Sequence, residues 1–469
     1  MVTAPFVVAP AIDFGSVRSE FGLEDGYPAD ALAEARAFSD RFAGDRDDRT
    51  DLALVTIDPP GSMDLDQALH LVRTEDGFVL HYAIADVYAV VEPGGALETE
   101  THRRGQTFYL PDGSVPLHPR ELSENAASLL PESVRPVALW RIEMDDRGEP
   151  VDVTVRRALV RSVARLDYAG VQRDADAGTL HPSIAALPEF GRLRAAAALE
   201  RGAIELRLPE QDVTPEKDGW RLTVQPRTDA DDWNSHVSLL TGMCAARTML
   251  DAKVGLLRTL PQADSDAVAA LRRTAKALGV PWVDDLEVGA FLAGLDANEP
   301  STLVLMSEAP ALLRGASYAA FDGELPEMSL HGAIAAPYAH VTAPLRRLSD
   351  RYATEVCLAV SAGVEISSHV RDTLPGLPKI MSSSDSLSGK IGRACVDLTE
   401  AVVLSSRIGE EFEATVTKDA TDRRDAEVFV ESETVIAPCA GKPREGEHVT
   451  VRLTRADPAT RMVEFAYEH

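Results

Sequence analysis

The stretch VTIDPPGSMDLDQAL, residues 55–69, sets Asp58, Asp64 and Asp66 around a turn forced by Pro59, Pro60 and Gly61. Proline lacks the N–H that a sheet interior needs, so the chain must leave any strand at Asp58. A loop carrying three carboxylates folds them around one point. Like charges within a few ångströms raise one another's pKa, so such a cluster calls for a cation. The donors are hard oxygens with no Cys or His among them, which favours Mg2+, Mn2+ or Ca2+ over zinc. An EF-hand loop is excluded, because Gln67 is followed by Ala68 and Leu69 and the required Gly and closing Glu are missing. An acidic surface turn is the plain alternative, Asp and Gly being ordinary turn residues.

Two further stretches carry candidate chemistry. In YAHVTAPLRRLSD, residues 338–350, Pro344 suits the first position of a helix, which places Arg346 and Arg347 in its first turn. Cations there oppose the helix dipole, yet the free amides make that end an anion site, so two arginines make sense if a phosphate visits. The alternative is that they pair with Asp350 or with the acidic loop. In QTFYLPDGSVPLHPRELSENAASLLPESVRP, residues 106–136, Phe108 and Tyr109 stand out in an aromatic-poor chain. An exposed Tyr here would stack on a base; the alternative is a half-buried core ring.

The elements that must position these residues follow from periodicity. Residues 1–50 read as a small helical domain, with a helix after Pro28 and a solvated, charged linker at 44–51. From 51 to about 165 the pattern is mainly β. One hairpin turns at Glu75-Asp76-Gly77 and another at Asp145–Pro150. From about 183 the pattern is helical. The predicted helices are EFGRLRAAAALERGAIELR, DDWNSHVSLLTGMCAARTMLDAKV, DSDAVAALRRTAKALG, WVDDLEVGAFLAGL, PLRRLSDRYATEVCLAVSAG, and one that follows the Ser-rich 382–386. The last sixty or so residues alternate polar and apolar in short strands, as a small barrel does.

Composition bounds the whole. The 469 residues, 45% hydrophobic and 26% charged, suffice for one large core and one or two small domains. No signal peptide and no membrane span is expected, because no basic leader and no long apolar run occurs. Cys244, Cys357, Cys395 and Cys439 form no C-x-x-C pair, which argues against a zinc ribbon and for a reduced, cytoplasmic protein. The net charge of −28 argues against a polyanion partner when taken alone. A cation-requiring acidic site inside a locally basic channel remains compatible with an acidic exterior. No heptad seam is seen, so a monomer is expected.

Taken together and in this order, TIDPPGSMDLDQAL, LHYAIADVYAVV, YLPDGSVPLHPRELS and HGAIAAPYAHVTAPLRRLSD resemble the catalytic domain of the ribonuclease II and ribonuclease R family. The resemblance implies an α+β chain with a helical N-terminal domain (1–50), an RNB-type catalytic domain (51–405) with mixed sheets and surrounding helices, and an S1-type OB barrel (406–469). It implies processive 3′-to-5′ hydrolysis of single-stranded RNA to nucleoside 5′-monophosphates, with Mg2+, or Mn2+ in its place, and no action on DNA. Asp58, Asp64 and Asp66 match the family's acidic residues. Gln67 stands where a fourth Asp is usual and is expected to bind metal through its carbonyl or to orient a water. Arg346 matches the catalytic arginine, and Tyr109 the aromatic that clamps the 3′-terminal nucleotide. Tyr168, His340 and Arg347 are expected along the RNA path. The family's N-terminal cold-shock domains have no counterpart in the first fifty residues, so a short entry channel is expected. With Gln67 in the site, an inactive RNA-binding protein is the alternative.

Overall fold

The computed structural model describes residues 12–468 apart from 207–209, 217–218, 226–227, 297–298, 431 and 434. The acidic loop hangs on a sheet built from β1 (Asp47–Asp48), β2 (Leu54–Ile57), β3 (Gln67–Arg73), β4 (Phe78–Ala85), β7 (Val134–Met144) and β8 (Pro150–Leu166). The order is β1-β8-β2-β3-β4-β7, and β8 also pairs with β7, so the sheet closes on itself. Both expected hairpins are present: Gln67 faces Ile84 across β3–β4, and Trp140 faces Val155 across β7–β8. β2 is buried along its whole length, as a strand covered on both faces must be. A short hairpin, β5 (Phe108–Leu110) with β6 (Gly113–Val115), stands apart from this sheet.

Helices α1 (Gly15–Glu20), α2 (Ala29–Arg36), α3 (Ala96–Arg104), α4 (Tyr168–Ala177), α5 (Leu187–Glu200) and α6 (Asp229–Ala252) precede and flank it. The backbone hairpin β9 (Glu210–Glu216) and β10 (Gly219–Gln225) interrupts them, and sequence reading had not foreseen it. After β11 (Val254–Thr259) come α7 (Ser265–Ala277), α8 (Val288–Ala293) and α9 (Pro300–Glu308). Then follow β12 (Ser317–Asp322), β13 (Leu330–His331), β14 (Ala336–Pro337), α10 (Leu348–Ala362), α11 (Ser368–Thr373) and α12 (Leu377–Leu404). The main core lies between one face of the sheet and these helices, with Leu71, Leu80, Tyr82, Trp140, Phe190, Val237 and Val356 buried in one cluster. Each such side chain contributes about 1.5–3 kcal/mol by leaving water. None of the described helices is long and apolar enough to cross a membrane.

The tail is a closed barrel of β15 (Glu411–Lys418), β16 (Ala426–Val430), β17 (Val435–Ala440), β19 (Met462–Ala466) and β18 (His448–Asp457), in that spatial order. Phe412 and Phe465 meet edge to face inside it at 5.7 Å, while Phe429 and Tyr467 stay half-buried. The barrel does not stand alone. Phe14 and Val17 of the N-terminal segment, Phe108 and Leu110 of β5, and Ile391 and Leu398 of α12 share its apolar cluster.

Four local expectations are corrected. The charged stretch 44–51 is no free linker: β1 pairs with β8, and the Arg46 side chain is wholly buried between Asp40 and Asp86. The Ser-rich segment lies inside α12 rather than before it; Met381, Ser384 and Ile391 fall on its buried face. The helix expected from Trp282 starts at Val288, because the Trp282 indole N–H donates to the Leu286 carbonyl and its ring stacks on Phe291 at 3.9 Å. The helix expected from Pro344 starts at Leu348, for reasons that belong to the site.

Candidate metal and phosphate site

Asp58 follows β2 directly. Its N–H donates to the Leu166 carbonyl of β8 at 3.1 Å before the two prolines end the pairing. Gly61 then turns the chain with φ near +90°, a conformation that suits glycine. The return is pinned at Ser128, whose hydroxyl donates to the Met63 carbonyl (2.6 Å) and accepts from the Leu65 N–H (3.0 Å). Leu65 is fully buried and plugs the loop into the outer core, fixing its neighbours Asp64 and Asp66 on either side.

Asp66 is only 3% exposed. Its Oδ1 accepts the Leu345 N–H at 2.7 Å, and its Oδ2 lies 3.4 Å from Arg346 Nε. Asp64 accepts from the Tyr109 hydroxyl at 3.0 Å. Burial pushes the Asp66 carboxyl up to about 8, against the pull of Arg346 and the Leu345 amide, and Asp64 adds to the rise. Burial, then Asp64, pushes Asp58 up to about 6, with Arg346 and Arg165 opposing. The loop thus holds more negative charge than its surroundings compensate.

That imbalance is what a hard cation relieves. Among the described residues no three His, Cys, Asp or Glu stand ready to cage an ion by themselves. Mg2+ does not ask for such a cage: it keeps several waters and takes one or two carboxylates plus phosphate oxygens. Asp58, Asp64 and Asp66 fit that demand. Gln67 departs from its expected role. Its Oε1 accepts from the Tyr82 hydroxyl, and the Ser238 hydroxyl stands within reach of both, 3.2 Å from that oxygen and 2.9 Å from the Tyr82 hydroxyl, with its one proton able to serve either. The oxygen that was expected to face an ion is engaged by α6 and β4.

The two arginines of the second stretch diverge. Asp350 accepts the Ala343 N–H at 2.7 Å, and the Thr107 N–H donates to the Arg346 carbonyl at 3.0 Å. These bonds hold residues 343–347 as a turn before the helix, with Arg347 extended at φ −134°. Arg347 consequently points inward and pairs with Asp350 at 2.9 Å, whereas Arg346, its side chain 41% exposed, faces the acidic loop. His340 meets the Tyr318 hydroxyl at 2.8 Å and the Tyr338 ring at 5.5 Å; burial, then the nearby Arg347 and Arg258, hold its pKa well below the usual imidazole range. Tyr168 opens α4, its hydroxyl accepts from Asn234 at 3.4 Å, and burial followed by the Asp58 charge raises its pKa. Tyr109 is 54% exposed, with Phe108 and Leu110 turned into the core on either side.

Sequence reading missed Tyr82, Ser238, Asn234 and Arg165. The signal for Asn234 and Ser238 was present: two polar residues four apart, and so on one face of the long helix α6. Arg165 lies at the end of β8, where it faces Met63 and Asp58.

The RNB domain matches residues 46–360, and the RNase II-type exonuclease C-terminal S1 domain matches 410–468. Exosome complex exonuclease RRP44 homolog A of Arabidopsis thaliana is 27% identical over 80% of this chain and 42% of its own length. Ribonuclease R of Chlamydia trachomatis is 25% identical over 85% of this chain and 58% of its own. The chain therefore spans about half the length of the curated relatives it matches. Among solved structures, Mycoplasma genitalium RNase R in complex with ribose methylated single-stranded RNA superposes with a TM-score of 0.86 at 18% identity, over 97% of this chain and 77% of that one. Yeast Ssd1, a pseudonuclease, superposes at 0.64 with 16% identity, over 84% and 50%.

Proposed function

Because the chain belongs to the RNB-domain family of ribonuclease II and ribonuclease R, we propose that it is a Mg2+-dependent exoribonuclease that processively shortens single-stranded RNA from the 3′ end. The observation that carries this reading is the under-compensated Asp66, raised to about 8, seated between the Leu345 amide and a half-exposed Arg346. RNA rather than DNA as substrate, nucleoside 5′-monophosphates as products, a monomeric enzyme and a cytoplasmic place of action complete the proposal.

Asp58, Asp64 and Asp66 would hold the ion, which when bound supplies a more acidic water and neutralises a phosphate oxygen. Asp66 accepts from and so orients the attacking water. That water adds to phosphorus, the P–O3′ bond breaks, and the O3′ leaves with a proton while the 5′-phosphate stays on the released nucleotide. Arg346, free on its solvent side, donates to the phosphate as charge develops there. The exposed Tyr109 ring stacks on the last base and sets the cut one nucleotide from the end. Tyr168 lines the path beside Asp58, and His340 and Arg347 support it from behind Arg346.

A second reading, an RNA-binding protein without cleavage, draws on the engagement of Gln67 by Tyr82 and Ser238 and on the likeness to a pseudonuclease. Digestion of a 5′-labelled oligoribonucleotide with Mg2+ and with EDTA, by wild type and Asp66→Asn, separates the two. A Mg2+-dependent run to a short end product, lost in the variant, supports the nuclease. Binding without cleavage by the wild type transfers the assignment to the binder.

A further inference from the structure

Tyr109 sits on a hairpin too short to hold itself. β5 and β6 have three residues each and pair only Phe108 with Val115, Tyr109 with Ser114 and Leu110 with Gly113. An isolated two-stranded hairpin is marginal even at greater length, so its orientation must come from what packs on it. On one side Phe108, Leu110 and Val115 enter the apolar cluster shared with Phe14, Val17, α12 and the barrel. At the tip the Arg18 guanidinium grips the Asp112 carboxylate through two parallel bonds, Nη1–Oδ2 at 2.7 Å and Nη2–Oδ1 at 2.8 Å. Both side chains are mostly shielded from solvent, at 20% and 31% exposure. A planar fork of this kind fixes direction as well as distance. Farther along, the Tyr27 hydroxyl donates to the Pro116 carbonyl at 2.7 Å, just past β6. The same N-terminal helix reaches the barrel through Glu20, which pairs with Arg461 at 2.6 Å.

We propose that the N-terminal segment is a positioning element for the proposed 3′-end clamp: Arg18, by holding Asp112, sets where Tyr109 stands over Asp64, and Glu20 ties that setting to the barrel. The proposal rests on the reading of Tyr109 given above. Arg18 is a positioning residue: it acts through the hairpin tip. The fork requires a guanidinium, because a lysine ammonium makes no bidentate pair with a carboxylate. The segment thereby couples the barrel to the residue that ends the digestion.

The test uses the full chain and 5′-labelled single-stranded RNA, with the length of the end product and the separate values of kcat and KM as readouts. The variants are Arg18→Ala, Arg18→Lys, Asp112→Ala, Tyr109→Ala and the double variant Arg18→Ala/Tyr109→Ala. Hydrogen exchange of the 106–116 peptide reports the hairpin directly. The expected result is a shifted end product in Arg18→Ala and Asp112→Ala, no full rescue by Arg18→Lys, and a several-fold rise in KM with kcat within about twofold. Exchange in 106–116 rises, and the double variant behaves as Tyr109→Ala alone. A wild-type end product in Arg18→Ala and Asp112→Ala, while Tyr109→Ala shifts it, overturns the positioning role and leaves the clamp standing. An unshifted end product in Tyr109→Ala removes the clamp itself. If only folding suffers in Arg18→Ala, Asp112→Ala reads the same contact from the other side.

Discussion

Two aspartates stand at one end of the β3–β4 hairpin and are treated in opposite ways. Asp66 precedes β3 and Asp86 follows β4, and the Ala85 N–H donates to the Asp66 carbonyl at 3.0 Å. Each is 3% exposed. Asp86 accepts from Arg46 at 2.9 Å, from Arg157, and from the Ala89 N–H at 3.3 Å. Asp66 has one backbone amide and one arginine at 3.4 Å whose far side is open to solvent. A buried carboxylate that serves the fold is surrounded by cations; one that serves a ligand is left short of them. The deficit at Asp66 is what a metal ion and a phosphate-bound arginine would fill.

The largest contrast should come from neutralising each in turn. Asp66→Asn is expected to lower cleavage by about 10³-fold or more while RNA binding and thermal stability persist. Asp86→Asn is expected to cost about 3–5 kcal/mol, since Arg46 and Arg157 are left buried without their shared partner, with cleavage per folded molecule retained. Paired melting curves and single-turnover rates check both. If Asp66→Asn unfolds the protein and Asp86→Asn abolishes cleavage, the comparison is inverted.

A pH series on metal-free protein sharpens it further. The folded chain raises the Asp66 carboxyl from its ordinary 3.8 to about 8, so it prefers the protonated form more than the unfolded chain does. The resulting contribution to stability is full below about pH 4 and is lost as pH rises through 8. Asp58 adds the same trend between 3.8 and about 6. In EDTA, wild type should therefore lose stability relative to Asp66→Asn across pH 4 to 8, and saturating Mg2+ should return it. Parallel melting temperatures for the two proteins over that range would speak against an under-compensated site. Next in size, Tyr109→Ala should change the length of the end product with less than about a tenfold change in kcat, because stacking on a base is worth about 1–3 kcal/mol and spares the reacting atoms. Sizing the fragments on a sequencing gel decides it.

What was legible in the sequence depended on how local its cause is. The acidic loop could be read because Pro59, Pro60 and Gly61 force the turn where the aspartates lie. The two hairpins and the barrel strands were legible from alternation and turn residues. Pairing of Arg346 and Arg347 with the acidic loop and with Asp350 was legible as an alternative, but which arginine takes which partner was not, because the residues before the helix are held by Asp350 reaching back to Ala343 and by pairing with 105–107. Arg46 looked like part of a solvated linker because Asp86, the more distant of its two partners, is brought to it only by closure of the sheet. Gln67 was read as a metal donor by its place beside Asp66; the two hydroxyls that engage it arrive from β4 and α6. Arg346, Arg46 and Gln67 are polar residues each with a partner distant in the chain, where composition and period carry no information.

Gln67 supplies the finest test of the comparison. Gln67→Glu keeps the shape of the side chain and an oxygen able to accept from Tyr82 and Ser238, so the packing of α6 on the sheet should survive. It adds one negative charge next to carboxylates already short of compensation. In metal-free protein that charge must raise the Asp58 and Asp66 carboxyls further and lower stability at neutral pH. With Mg2+ the sign reverses, because the added charge attracts the ion, and a gain of about 1 kcal/mol corresponds to roughly a fivefold lower Mg2+ midpoint for cleavage. The maximal rate should change little, since the Gln67 oxygen is engaged by Tyr82 and Ser238. A Mg2+ titration of wild type and Gln67→Glu reads the shift directly. An unchanged midpoint would mean that Tyr82 and Ser238 shield this position from the loop, and that the deficit belongs to Asp58, Asp64 and Asp66 alone.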